Sequence, residues 1–319
     1  MKNLAFLGTG KIALEYAKII KNLGFNISYA SSSSQNSKSW KKFKRINPKV
    51  KYMSSKQIIN HKKIDYIFSL LPYIKQIEYF PKLISSKKNM FIEKPFFHNS
   101  KKFDKLIRKN KKNLKNKYIS FNRRFYDVVK ILKNRIKKRD IKFIRVNINE
   151  NFTQKTLNKS LRFKKLLPYF GSSSHIIDLL FYLFEKITFL KNFSKQDNKN
   201  YPTSYVLLKI HRNIPIFLFI EKNVPLKNGI EVIFKDNSIW SLTPIEKLQI
   251  FKGYKITKNK DKRQNYLNYE QRLVYEKKEK SDYKPGLKKS IQYFLKSKKY
   301  NQNFSKYHKY LKLYEKIFN

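Results

Sequence analysis

A glycine-rich segment near the amino terminus carries the first residues whose types and spacing could do chemistry. Gly8, Gly10 and Ala13 form the pattern G-x-G-x-x-A directly after a short apolar run. The first glycine of this pattern permits a tight turn, the second lets a pyrophosphate approach the backbone, and the small third residue lets a helix pack on the strand. The helix amino-terminal amides would face the anion. The motif predicts a dinucleotide site; the alternative is an ordinary turn.

A serine-rich segment lies where the adenosine ribose of a dinucleotide would bind. The acid that usually holds the ribose 2′-hydroxyl stands about 20 residues past the motif, but residues 28–34 contain no Asp or Glu. Ser31 and Ser32, followed by Lys38, could accept a 2′-phosphate instead. The sequence therefore favours NADP as cofactor. The alternative is that these serines merely fill a surface loop and that NAD is the cofactor.

Two later segments carry groups suited to proton transfer. Glu93-Lys94-Pro95 follows an apolar run, at the end of a predicted strand where open α/β sheets bind ligands. His175 lies near the start of a helix predicted over residues 172–184, and Asp178 lies on the same helix face. Lys94 could donate to a substrate oxygen, and an imidazole that titrates near neutral pH could be a general base. The alternatives are one more surface lysine and a structural histidine bonded to its aspartate.

The order of the predicted strands and helices that must position these groups changes near residue 122. Before it, short apolar runs alternate with helical spacing, which predicts a doubly wound parallel sheet, an α/β Rossmann domain over residues 1–121. After it, strand-like runs follow one another from Tyr205 to Phe251, separated by short turns. This pattern predicts an α+β domain over residues 122–319 with an open, mostly antiparallel sheet. The tail from Asn265 is predicted to be helical.

Composition excludes several classes of protein. The chain has 319 residues and no cysteine, which excludes disulfides, thiolate metal sites and cysteine nucleophiles, and no metal is predicted. The longest apolar runs fall short of the ~18 residues of a membrane span, and the amino terminus does not resemble a signal peptide. We therefore expect no membrane partner and a cytoplasmic location.

The net charge of +52, from 73 Lys+Arg against 21 Asp+Glu, could indicate a nucleic-acid partner. However, the lysines are spread along the chain, accompany abundant Asn, Ile, Phe and Tyr, and adjoin no recognition motif. A/T-rich codons produce this composition. We therefore favour a solvated basic surface and expect no specific nucleic-acid binding.

Together these segments resemble the Gfo/Idh/MocA family, the relatives of glucose-fructose oxidoreductase and inositol dehydrogenase. The matching segments, in family order, are Gly8-x-Gly10-x-x-Ala13, the strand ending in Pro72, Glu93-Lys94-Pro95, Asn122-Arg123-Arg124-Phe125 and Ser174-His175-Ile176-Ile177-Asp178-Leu179-Leu180. The resemblance implies hydride transfer between NAD(P) and a sugar, polyol or related carbon. It also implies that the second sheet carries the substrate site and commonly a dimer interface.

The resemblance implies roles for individual residues. Lys94 would lie near the nicotinamide and the substrate oxygen, and His175 would take or give the hydroxyl proton. Arg123, Arg124 and Asp178 would bind substrate. The residues expected to bind the cofactor are Gly8, Thr9, Gly10, Lys11, Ile12, Ser31, Ser32, Pro72, Glu93 and Lys94.

Three positions depart from the family pattern. An Asp usual four residues before the histidine is Gly171 here, a glycine usual two before it is Ser173, and a His usual four after Pro72 is Gln76. The proton relay is therefore the part of the resemblance that is most altered.

The sequence as a whole predicts an NAD(P)-dependent oxidoreductase that acts on a CH–OH group of a sugar, polyol or nucleotide-sugar, in surface polysaccharide biosynthesis. A basic loop with Lys155, Lys159 and Arg162 is compatible with an anionic substrate, and the resemblance implies a homo-oligomer, dimer or tetramer. Two alternatives stay open: a non-catalytic dinucleotide-binding regulator or structural partner, and a basic nucleic-acid binder.

Overall fold

The computed structural model describes residues 3–138, 140–151, 171–193, 203–258, 267–297, 300 and 304–318. These residues divide into two compact units. The first holds the described residues up to Asn122, residues 171–174 and those from Asp282 onward. The second holds the described residues from Arg123 to 151 and from His175 to Ser281. The sequence assigns the carboxyl-terminal tail to the second domain, whereas the structure groups residues from Asp282 onward with the first.

The first unit is built on a six-stranded parallel sheet in the order β3-β2-β1-β4-β5-β6. Its strands are β1 (Leu4–Leu7), β2 (Ile27–Ser31), β3 (Lys51–Tyr52), β4 (Tyr66–Ser69), β5 (Asn89–Glu93) and β6 (Lys117–Ser120). The helices between them are α1 (Lys11–Asn22), α2 (Lys38–Ile46), α3 (Ser55–Asn60), α4 (Tyr73–Ser85) and α5 (Ser100–Lys109). This is the doubly wound parallel sheet that the sequence predicts.

Small residues allow α1 to lie close to the sheet. Ala13 and Ala17 are buried on the same face of α1 as Tyr16, and every residue of β1 is buried. Three of the four alanines of the chain fall in its first 17 residues. Their position is explained by this helix–strand contact.

Two helices near the carboxyl terminus, α8 (Leu287–Lys296) and α9 (Phe304–Phe318), belong to the first unit. Phe294 of α8 packs edge-on against Phe68 and Phe91 of the sheet, with ring centroids 5.2 and 5.3 Å away. Glu315 of α9 accepts a hydrogen bond of 2.7 Å from the Ser100 amide at the start of α5. These aromatic and capping contacts explain why the carboxyl-terminal helices belong to the first unit.

The second unit contains an eight-stranded sheet in the order β14-β13-β12-β11-β7-β10-β9-β8. Its strands are β7 (Ile141–Glu150), β8 (Thr188–Asn192), β9 (Ser204–Lys209), β10 (Pro215–Lys222), β11 (Gly229–Phe234), β12 (Ile239–Leu242), β13 (Lys247–Lys258) and β14 (Leu267–Lys278). Only the β7–β10 pair is parallel among the described strands. The helices are α6 (Asp127–Ile136) and α7 (Ser172–Leu183), of which the residues from His175 belong to this unit. The open, mostly antiparallel sheet is confirmed.

The prediction of a helical tail from Asn265 is wrong for its first part. Residues Leu267–Lys278 form β14, which pairs antiparallel with β13, and helix begins only at Leu287. Glu, Gln, Arg, Leu and Lys in this stretch favour helix locally, but backbone pairing with β13 outweighs that small preference. Within the described residues, no helix combines the length and apolarity needed to cross a membrane.

Candidate active site

The glycine turn after β1 has one glycine that the fold requires and one that leaves space. Gly8 has φ +98°, and a Cβ there would lie 2.7 Å from the Leu70 carbonyl oxygen, so a side chain at this position would collide with the backbone after β4. Gly10 precedes the first residue of α1, and a Cβ there would meet nothing within 4 Å. The open side of Gly10 and the first-turn amides of α1, including those of Lys11 and Ile12, form a cradle suited to a phosphate.

A cluster of hydroxyl groups joins this turn to the end of β2. The Thr9 hydroxyl donates to Ser32 over 3.1 Å and to Ser39 over 3.3 Å, and Ser32 lies 2.8 Å from the Ser37 hydroxyl. Ser31 is buried and bonds to Ser55 over 2.9 Å. Ser37 caps the amino terminus of α2 by accepting from the Trp40 amide. No carboxylate of the described residues hydrogen-bonds to this cluster.

A buried amide lies at the end of β4. Pro72 precedes α4, and Gln76 in its first turn is fully buried. The Ser69 hydroxyl donates to the Gln76 side-chain oxygen over 2.7 Å, while the Gln76 Nε2 has no hydrogen-bond partner among the described residues. A buried donor without an acceptor costs about 1–3 kcal/mol, so the position suits an oxygen atom from a ligand or water.

A side chain of α1 holds the last residue of β5 in place. The Tyr16 hydroxyl donates to Glu93, and the second carboxylate oxygen of Glu93 accepts from the Lys94 amide over 3.0 Å. Burial raises the pKa of Glu93, opposed by the Tyr16 hydrogen bond and the positive charge of Lys94. Burial also raises the pKa of Tyr16 well above its ordinary value, and the Glu93 charge adds to this effect. The Lys94–Pro95 peptide bond is cis.

We predict that Tyr16→Phe will destabilise the protein by about 1–3 kcal/mol, because it removes the hydrogen bond that the buried Tyr16 hydroxyl donates to the half-buried carboxyl group of Glu93. Chemical denaturation measures the change. Tyr79→Phe is the matched control, since the Tyr79 hydroxyl makes no hydrogen bond within the described part of the chain, and it should change stability by less than about 0.5 kcal/mol. Equal stabilities of the two variants would show that Tyr16 does not hold Glu93.

The second unit holds a buried ion pair beside His175. The Arg124 guanidinium binds both carboxylate oxygens of Asp178, with an Nε–Oδ2 distance of 2.8 Å. Asp178 is 1% exposed, and burial raises its pKa while Arg124 opposes the rise. His175 is buried one turn earlier on α7. Tyr182 also lies on α7, and the Lys133 ammonium of α6 is 3.4 Å from the centre of its ring.

Arg123 offers a donor next to this pair. It lies in a short 3-10 helix, Asn122–Phe125, and its Nη1 is buried with no hydrogen-bond partner among the described residues. Burial raises the pKa of Tyr126 to about 12, and Arg123 acts in the opposite direction. A buried guanidinium nitrogen with spare donor capacity is suited to an anionic or hydroxyl-bearing ligand.

The predicted site residues thus fall into two groups. Those predicted for the cofactor lie in the first unit, as does Lys94, whereas His175, Arg123, Arg124 and Asp178 lie in the second. At the departure positions, Gly171 accepts a hydrogen bond from the Ser174 hydroxyl over 2.8 Å. The basic loop predicted at residues 153–165 lies outside the described residues.

The sequence alone did not identify Tyr16, Ser37 and Ser39 as site residues. The only signal for Tyr16 is its place on the same face of α1 as Ala13 and Ala17.

The fold and the first-unit site define a class: NAD(P)-dependent oxidoreductases in which a Rossmann sheet with a glycine turn is joined to an open antiparallel sheet. Residues 2–120 match the family model GFO_IDH_MocA, described as an oxidoreductase family with an NAD-binding Rossmann fold. Over these residues the chain matches the Gfo/Idh/MocA family, and the resemblance drawn from its motifs is confirmed. No curated protein sequence matches the chain.

Solved structures with the same fold extend the likeness beyond this domain. A dehydrogenase from Chromobacterium violaceum is 13% identical, with a TM-score of 0.74 and coverage of 99% of this chain and 94% of that one. The UDP-N-acetylglucosamine 3-dehydrogenase GnnA from Acidithiobacillus ferrooxidans is 11% identical, with a TM-score of 0.69 and coverage of 99% and 96%. The WlbA dehydrogenase from Chromobacterium violaceum, in complex with NADH and UDP-GlcNAcA, is 14% identical, with a TM-score of 0.65 and coverage of 76% and 73%. At these identities the likeness concerns the fold.

Proposed function

We propose that the protein transfers hydride between NAD(P) and a hydroxyl-bearing carbon of a nucleotide-linked sugar. The observation that carries the proposal is the first-unit site: an open Gly10 cradle, with Glu93 and Lys94 at the carboxyl end of β5 in the same sheet. The substrate class is supported by WlbA and GnnA, which share the fold and act on or bind UDP-linked sugars. A role in surface polysaccharide biosynthesis stays a prediction.

The first unit would hold the cofactor through its backbone and hydroxyl groups. The Gly8–Gly10 turn and the α1 amides would bind the pyrophosphate, and the hydroxyl cluster of Thr9 and Ser32 would bind the adenosine ribose. The Gln76 amide would donate to an oxygen of the ligand at the end of β4, which would satisfy its Nε2. When bound, the nicotinamide supplies the carbon that accepts or gives the hydride.

The proton would be handled by two side chains. His175 would remove the proton of the substrate hydroxyl as hydride leaves the carbon, and the Lys94 ammonium would stabilise the oxygen. Glu93, held by Tyr16, would position Lys94 through its backbone. Residue 171 is glycine and cannot orient the imidazole with a carboxylate, so this task would fall to neighbouring groups of α7 such as Ser172 or Ser173.

The arginines would recognise the substrate. Both carboxylate oxygens of Asp178 bind Arg124, so Asp178 would act as a positioning residue that fixes this guanidinium rather than as a direct substrate contact. Arg123, with a buried nitrogen available, would donate to the diphosphate or an acidic group of the nucleotide-sugar. Planar guanidinium groups bind phosphate and carboxylate in a bidentate manner.

We predict that NADPH binds more tightly than NADH, by about tenfold or more, because charged hydrogen bonds from the hydroxyl cluster to a 2′-phosphate contribute about 1.5–3 kcal/mol. Calorimetric titration of both cofactors measures the difference. Ser39→Ala should reduce this preference, whereas Ser85→Ala, on the exposed end of α4, should not. Equal affinities for the two cofactors, or tighter binding of NADH, would show that the serine cluster does not bind the 2′-phosphate.

A non-catalytic dinucleotide binder is the second candidate, and Gly171 in place of the family acid favours it. Turnover separates the two. The protein should reduce NAD(P)⁺, followed by nicotinamide absorbance, with UDP-N-acetylglucosamine or its uronate, but more slowly with the free sugars that lack the diphosphate. Tight dinucleotide binding without turnover of any nucleotide-sugar, sugar or polyol would support the non-catalytic function instead.

A further inference from the structure

A cavity of about 610 Å³ lies in the first unit, at the edge of its sheet opposite the glycine turn. Its walls are α3, the carboxyl-terminal half of α4 and the loop of residues 85–88 that leads into β5. The sheet is parallel, so the start of β5 and the turn after β1 lie at opposite edges. The five residues of β5 rise about 3.3 Å each, which separates the cavity from Lys94 by roughly 16 Å. The cavity is therefore distinct from the candidate cofactor site.

The wall of this cavity is basic. Its lysines include Lys56 of α3, Lys62, Lys87 and Lys88. Among the described residues no Asp or Glu lines the cavity, and none of these four ammonium groups has an ion-pair partner there. A sphere of this volume is about 10 Å across, close to the Debye length of about 8 Å at physiological ionic strength. The like charges therefore repel one another across the cavity, and a bound anion would relieve that repulsion.

The four carbonyl oxygens of residues 85–88 are engaged by donors that do not line the cavity. Asn113 donates to the first carbonyl over 2.8 Å, and Asn116 donates to the third over 2.9 Å. The ammonium of the fully buried Lys117 donates to the second over 2.6 Å and to the fourth over 2.7 Å. These bonds fix the loop and occupy acceptors that the lysines of the cavity would otherwise use.

Lys88 is held in place as part of the wall. Its ammonium donates to the carbonyl oxygens of His61 over 2.6 Å and Ile64 over 2.8 Å, which joins the loop to the segment before β4. An ammonium has three N–H donors, so one remains for a ligand in the cavity. Burial lowers the pKa of Lys88, and the charge of Asp65 opposes this shift. An anion in the cavity would favour the charged form of Lys88.

We propose that this cavity binds a small anion that carries two or more linked phosphate groups. Lysine ammonium groups bind phosphate as point charges, and linked phosphates carry enough negative charge to face several lysines at once. The volume lies within the range of about 300–1,000 Å³ that is usual for small-ligand sites. Nucleotides and inorganic polyphosphates share this chemistry. The proposal concerns a site outside the proposed active site and does not depend on the proposed function.

Calorimetric titration with inorganic tripolyphosphate at physiological ionic strength tests the site. Lys56→Ala/Lys87→Ala should weaken binding about tenfold or more, because it removes two charged contacts to phosphate. Both side chains are exposed, so the variant should stay folded. Lys137→Ala/Lys138→Ala, the same change in charge at two exposed positions directly after α6, is the control and should change affinity less than about twofold. Equal losses in the two variants would show that net charge alone attracts the anion, which would overturn the proposal.

Gly10→Val tests whether the anion binds in the candidate cofactor site instead. Tripolyphosphate should bind this variant as tightly as the natural chain, because the cavity lies at the other edge of the sheet. Binding that is lost in Gly10→Val but kept in Lys56→Ala/Lys87→Ala would place the anion at the glycine turn and overturn the proposal.

The apolar part of the wall, Ile59 and Tyr79, distinguishes the two sources of linked phosphates. If the ligand is a nucleotide, ATP should bind more tightly than tripolyphosphate, and Tyr79→Ala should weaken ATP alone. If it is an inorganic polyphosphate, the two probes should bind equally and Tyr79→Ala should change neither. If single-stranded DNA, but not tripolyphosphate, loses affinity in Lys56→Ala/Lys87→Ala, the lysines serve nucleic acid and the small-ligand proposal is wrong.

Discussion

Lys94→Ala should lower kcat with the true substrate by about 10²–10⁴-fold, because a positioned acid–base group contributes a factor of this size. Dinucleotide affinity should change little, since the glycine turn and the α1 amides would supply most of the binding. Steady-state kinetics with a nucleotide-sugar, together with calorimetric titration of the cofactor, separates the two effects. Lys82→Ala, on the exposed end of α4, is the control and should leave kcat unchanged.

His175→Ala should produce a loss of the same order. If Lys94 and His175 act on one hydroxyl, the double variant will lose far less than the product of the two single losses, because residues that act as a unit are not additive. Full turnover by His175→Ala would remove the proposed proton role of the imidazole. Multiplicative losses would show that the two side chains serve separate steps.

Gly10→Val should abolish dinucleotide binding and leave the protein folded. A side chain at Gly10 meets no protein atom within 4 Å, so it would occupy only the space that the pyrophosphate needs. Calorimetric titration should show no binding, while thermal unfolding should change by no more than a surface substitution does. Gly10→Ala should weaken binding by a smaller amount.

Gly8→Ala provides the contrast. Its Cβ would approach the Leu70 carbonyl oxygen at 2.7 Å, and its backbone has φ +98°, a conformation that non-glycine residues rarely adopt. We expect this variant to lose stability as well as binding. Unchanged cofactor affinity in Gly10→Val would place the pyrophosphate elsewhere.

Local sequence determined the elements that carry the chemistry. Apolar runs next to Gly8, Pro72 and Pro95 marked strand ends, since glycine and proline interrupt regular structure for reasons that lie within a few residues. The parallel character of the first sheet, the mostly antiparallel second sheet and the glycine turn were predictable in this way, whereas the short strands β3 and β6 were not. The oxidoreductase class followed from the order of these motifs along the chain.

Tertiary structure decided what depends on residues distant in the chain. The Tyr16–Glu93 bond joins residues 77 positions apart, the Arg124–Asp178 pair spans 54 positions, and α9 joins the first unit through Glu315 and Ser100. Strand β14 is the clearest example, because its residues favour helix when considered alone. Only the ten backbone pairings with β13 make it a strand, and pairings of that kind are invisible to any argument from neighbouring residues.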